Sequence, residues 1–126
     1  MPEVTTPKRQ TKEQERAAKA WDLITQEVKG KNFADKYSSY VKSASTLIQT
    51  NGLINTLAFY NSKGENAHIK LLSHLQIMVT ADTGITMTNL LEKLRECNVN
   101  EYRNFTKSAL ANLIWLKRFA EAELEG

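Results

Sequence analysis

The side chains able to do chemistry in this 126-residue chain are few: one cysteine, Cys97, two histidines, His68 and His74, and scattered carboxylates and cations. A metal site needs several histidine, cysteine or carboxylate ligands converging on one point. His68 and His74 stand six residues apart, about 240° around a helix, so they diverge. With a single thiol no second cysteine completes a ligand set, and the reading is that neither a metal nor another cofactor is bound. A nucleophile needs a base beside it, and no pattern sets Cys97 or a serine against either histidine. Glu92 with Glu96, and Glu121 with Glu125, share a helix face and have the form of an acid–base pair. Each has basic neighbours within a turn, the ordinary state of a solvated face. The chain is therefore read as having no catalytic residues.

The cations are more informative. There are 17 Lys and Arg against 14 Asp and Glu, a net charge of only +3, too small to announce nucleic acid by itself. Their distribution says more. Arg9, Lys12, Arg16 and Lys19 fall within about 80° of one another on a helix. The like-charge pair Lys12 and Arg16, one turn apart, costs about 0.2–0.5 kcal/mol in isolation, which a bound polyanion offsets. Between Tyr102 and Arg118 the charged residues are Arg103, Lys107, Lys117 and Arg118, with no carboxylate among them. They lie within an arc of about 100°. Glu121, Glu123 and Glu125 then crowd the final turn. Cations early and carboxylates late oppose the helix dipole, at about 0.3–1 kcal/mol for each exposed charge. That reversal points to a partner rather than a substrate. Lys42 completes the set of phosphate-contacting candidates. No aromatic platform or recognition helix reads bases, so contact is to backbone shape and charge.

These residues need elements to hold them. The predicted fold is all-α, a single-domain bundle of about six helices, with residues 1–10 a flexible N-terminal arm and 11–126 the helical domain. Thr11 and Gln14 have the form of a capping box. Ala17, Trp21, Ile24 and Val28 follow at helical spacing, giving a first helix over 11–28. The second runs over 34–50, the third over 53–62 and the fourth over 66–80, with Ala81 to Gly84 read as a connection. The fifth is centred on Met87, Leu90, Leu91, Leu94 and Cys97, capped by Thr86 or Thr88. The sixth spans 101–126, its core stripe formed by Tyr102, Phe105, Ala109, Leu113, Leu116, Ala120 and Leu124. Leu110 to Leu116 is apolar on nearly every side except at Asn112, as in a helix enclosed by others. Trp115 and Phe119 lie off the main stripe, so they need either a second layer of this protein or a different chain, and they are the partner-interface candidates. One cysteine excludes an intramolecular disulfide. With no signal peptide and no apolar run of ~18 residues, the expected location is cytoplasmic, with no membrane contact.

Tyr37, Tyr40, Leu47-Ile48, Thr50-Asn51-Gly52-Leu53, Thr56-Leu57-Ala58-Phe59 and the stretch from Trp115 to Leu124 together carry a family resemblance. The chain resembles the small α-helical subunit of the Cmr complex, the type III-B CRISPR RNA-silencing effector, over about Thr11 to Leu124. The resemblance implies a non-catalytic subunit in antiviral defence, present in several copies beside other Cmr subunits. It also implies that the guide and target RNA are held by this subunit and cut by its neighbours. Among the basic candidates only Lys117 and Arg118 stand in a matching block. The expected isolated state is a monomer that binds RNA weakly, gaining affinity through repeated copies. The rival reading is a free-standing helical DNA-binding regulator.

Overall fold

The computed structural model describes residues 10–124; most of the N-terminal arm, including Arg9, and the terminal Glu125 and Gly126 lie outside the described residues. Six helices follow in order: α1 (Lys12–Glu27), α2 (Ala34–Asn51), α3 (Leu53–Lys63), α4 (Asn66–Thr83), α5 (Leu90–Glu96) and α6 (Val99–Glu123). No strand occurs among the described residues.

α6 is the central element. α1, α2 and α4 all pack on it, so its inward face runs through the middle of the core. Phe105, Ala109, Leu113, Leu116 and Ala120 are buried there against Ile24, Tyr37, Leu71, Leu75 and Met78 from the surrounding helices. Each large apolar side chain withdrawn from water contributes about 1.5–3 kcal/mol.

The helix ends follow from local chemistry. At α1, the Gln14 amide donates to Thr11 Oγ1 (3.1 Å) and the Thr11 amide donates to Gln14 Oε1 (2.9 Å). α2 and α3 meet at Gly52, whose φ of +87° suits glycine. There the Tyr102 hydroxyl of α6 accepts the Ile54 amide at 3.0 Å, giving an open amide of the first turn of α3 a partner.

Three expectations are corrected. α4 continues through Ala81-Asp82-Thr83 rather than ending at residue 80. Its last turn is held from outside by side chains that reach it from α1 and α6. α5 begins later than expected, capped by Asn89 rather than Thr86 or Thr88, because the Asn89 carboxamide accepts the Glu92 amide at 3.0 Å. Gln76 fixes the incoming loop by accepting the Leu90 amide and donating to the Thr88 carbonyl. α6 starts at Val99 and carries its own capping box. Asn98 Oδ1 accepts the Glu101 amide (2.8 Å) and Glu101 Oε1 accepts the Asn98 amide (3.2 Å).

Candidate nucleic-acid interface

Arg16 and Lys12 are the point where charge meets architecture. From α1, the Arg16 guanidinium reaches the last turn of α4, donating through Nε to both Asp82 carboxylate oxygens (3.1 and 3.0 Å) and setting a terminal nitrogen 2.9 Å from Oδ2. The Asp82 side chain is only 7% exposed. Ser108 Oγ of α6 donates to the same Oδ2 at 2.8 Å, and the buried Asn112 donates to the Ser108 carbonyl at 2.9 Å. Lys12 Nζ donates to the Asp82 backbone carbonyl. A carboxylate at a helix C-terminus is unfavourable alone; here Arg16 supplies the compensating charge. Its hydrogen bonds to Asp82 in turn raise the Arg16 pKa above the ordinary value. The repulsion expected between Lys12 and Arg16 is thus offset within the chain. Lys19 is exposed beside them.

This arrangement opens a groove of about 530 Å³ between the start of α1 and the middle of α6, with Lys12, Arg16, Lys107 and Asn104 on its walls and Asp82 and Ser108 beneath. Arg103, Lys107, Lys117 and Arg118 are all exposed on the outward side of α6. Lys42 is exposed on α2 and does not line the groove. Lys12 and Arg16 therefore belong to the groove, Arg103, Lys117 and Arg118 to the outward side of α6 and Lys107 to both, while Lys19 and Lys42 line neither.

Two expectations about α6 change. Ile114 is 50% exposed while Asn112 is buried, the reverse of an apolar middle enclosed on nearly every side with Asn112 as its polar exception. Asn112 is inside because Ser108 and Asp82 give its amide partners. The reversed dipole is also answered in part by the fold: Glu123 forms a 2.7 Å ion pair with Lys29, just past the end of α1, and Glu101 serves the capping box. Trp115 and Phe119 are half-buried, stacked with centroids 5.9 Å apart. Trp21 of α1 meets Phe119 edge-on at 5.4 Å, and Trp115 Nε1 donates to Glu13 at 3.2 Å. Much of the second layer that they require is thus α1 itself. Trp21 keeps 43% of its surface exposed at the outer end of this row.

Both histidines are core residues. His74 is fully buried, with Nδ1 2.7 Å from the Tyr37 hydroxyl and Nε2 3.0 Å from Glu27 Oε1. A carboxylate only accepts, so Nε2–H donates to Glu27 and Nδ1 accepts the Tyr37 proton. Lys70 joins Glu27 at 3.3 Å. His68 stacks on Tyr40 with centroids 4.0 Å apart. Cys97 directs its thiol back to the Leu94 carbonyl, and burial pushes its pKa up, away from the reactive thiolate.

Burial lowers the pKa of both His74 and His68 below 6.5, against which hydrogen bonding to Glu27 works in the case of His74. The hydrogen bond from His74, aided by Lys70, holds Glu27 below 4.5. All three shifts have the same sign: the unfolded chain takes up protons first, so the stabilisation is complete above the unfolded histidine pKa and is lost on acidification. The melting temperature is expected to fall as pH drops from 7 toward 4, and His74→Gln should flatten the part of that slope nearest pH 6. A slope unchanged by the substitution would show that His74 has no part in it.

Nothing in the sequence singles out Asp82, Asn104, Ser108 or Asn112 as site residues. Asp82 reads as loop, and a serine and asparagine one turn apart read as ordinary helix surface. The one available signal is the asparagine at a stripe position, a polar residue that demands a buried partner.

Among the described residues no helix is long and apolar enough to cross a membrane. Residues 12–123 match the family described as CRISPR-associated protein (Cas_Cmr5). A curated relative, CRISPR system Cmr subunit Cmr5 of Thermus thermophilus, is 32% identical over 116 residues, covering 91% of this chain and 97% of that protein. The Cmr subunit Cmr5 of Thermotoga maritima is 34% identical over 118 residues, covering 89% of this chain and 84% of the relative. The crystal structure of a CRISPR-associated Cmr5 family protein from Thermus thermophilus superposes with a TM-score of 0.78 at 29% identity, covering 93% of this chain and 100% of that one.

Proposed function

The chain belongs to the CRISPR-associated Cmr5 family, and from that premise we propose that it is a non-catalytic structural subunit of a type III-B Cmr effector in the cytoplasm. There it helps assemble the complex and holds guide and target RNA through basic helix faces, beside other Cmr subunits and further copies of itself. The observation that carries the RNA-holding role is the outward side of α6. Arg103, Lys107, Lys117 and Arg118 are all exposed there, and the segment from Tyr102 to Arg118 has no carboxylate to neutralise them. Phosphate contacts of this kind position a strand without reading its bases, which suits a subunit whose complex takes any guide sequence. The non-catalytic reading is supported by the burial of His68 and His74 and by the raised pKa of Cys97.

Photo-cross-linking with 4-thiouridine placed along the guide or target RNA of the assembled complex tests the RNA-holding role. Cross-links should map to peptides of α6 between 103 and 118 and of α1 between 12 and 19. An assembly that contains the chain but never cross-links it would leave a protein-only scaffold.

A further inference from the structure

We propose that the groove between α1 and α6 is a discrete seat for one phosphodiester of an RNA strand, and that Asp82 is its positioning residue. This rests on the RNA-holding reading above and goes beyond it, because helical spacing placed Lys12 and Arg16 on one face and Lys107 on another, with nothing to join them.

Asp82 organises the seat from below. Its carboxylate takes Arg16 in a two-point grip and its backbone carbonyl takes Lys12, so both cations are drawn to the same end of α4. Neither is exhausted. A lysine ammonium has three N–H donors and a guanidinium five, more than Asp82 and Glu13 engage. Lys107 stands across the groove with Asn104 beside it. The carboxylate that would repel an anion is largely covered, its oxygens turned to Arg16 and Ser108. Three cations against the shielded Asp82 and the exposed Glu13, 3.3 Å from Arg16, still leave one positive charge in surplus, which favours an anion. Holding the cations in place beforehand lowers the ordering cost of binding.

The geometry gives a discriminating expectation. If Asp82 were simply a nearby negative charge, Asp82→Asn would strengthen binding of an anion. If its carboxylate positions Arg16, the same substitution weakens binding although the net charge rises, while Lys12 keeps its backbone acceptor.

The test uses the full chain with a decauridylate, followed by amide NMR and fluorescence anisotropy from 50 to 200 mM salt, with inorganic phosphate as a separate arm. Amide shifts should centre on residues 104–108 and on α1. Lys107→Ala, an exposed site, should reduce affinity several-fold and lower the log–log salt slope by about 0.7, the value of one single-strand contact. Asp82→Asn, its fold verified by the NMR spectrum, should also weaken binding. Tighter or unchanged binding by a folded Asp82→Asn, no effect of Lys107→Ala, shifts elsewhere or none up to millimolar oligonucleotide, or equal response to phosphate alone would each overturn the proposal. Groove shifts in a chain that never enters a Cmr complex would uphold the seat and sink the assembly role instead.

Discussion

Replacing Arg103, Lys107, Lys117 and Arg118 together by glutamate should abolish retention of RNA at physiological salt while leaving the bundle folded. Counterion release gives the scale. Four single-strand contacts carry a log–log slope of about 2.8, so at 0.1 M salt their loss alone weakens binding by roughly 600-fold, before any repulsion from the new carboxylates. Where several copies contribute, the factors compound. The fold should survive because all four side chains are exposed, and surface changes of this kind usually stay within about 0.5 kcal/mol each. Filter retention of labelled guide RNA by complexes carrying the variant, with circular dichroism of the free subunit, checks both halves. Retention within a few-fold of the parent would move the RNA contacts away from α6.

Asp82→Ala should be among the most destabilising single changes outside the apolar core. It deletes the acceptor shared by Arg16 and Ser108 and leaves a guanidinium, only 20% exposed, without its main counter-charge. Stranding one member of a fully buried ion pair costs about 3–5 kcal/mol. The partial exposure of Arg16 lowers the expectation to about 2–3 kcal/mol, still a large share of a total near 5–15 kcal/mol. The double variant Arg16→Met with Asp82→Ala should recover much of that loss, since the stranded charge is gone. Urea unfolding of the two singles and the double gives the coupling energy directly. A cost under about 0.5 kcal/mol for Asp82→Ala would mean that the pair acts as a solvated surface contact.

Much of the scaffold is legible in the chain because amphipathic spacing survives without tertiary knowledge. Ala17, Trp21, Ile24 and Val28 mark α1, and the stripe from Phe105 to Ala120 marks the inward face of α6. What does not read is polar structure whose meaning depends on a distant partner. Ala81-Asp82-Thr83 looks like a linker until Arg16, 66 residues away, is placed against it. Asn112 stands at a stripe position, but its partners Ser108 and Asp82 show only once the helices are packed. Ile114 looks inward on composition, yet half of its surface stays exposed.

The interface candidates divide along the same line. Exposed cations on one helix are visible as a charge pattern, so the basic side of α6 is accessible from periodicity. The groove is not, because Lys107 joins Lys12 and Arg16 only through the packing of α1 on α6. Trp115 and Phe119 read as needing a second layer, and α1 supplies much of it through Trp21 and Glu13.

Affinity purification of the tagged chain from its native host, with mass spectrometry of the proteins and sequencing of the bound RNA, tests the assembly role most directly. The expected result is recovery of the other Cmr subunits together with short repeat-derived RNAs, held until salt strips the phosphate contacts. Recovery of the chain alone, or with a specific duplex DNA, would contradict it.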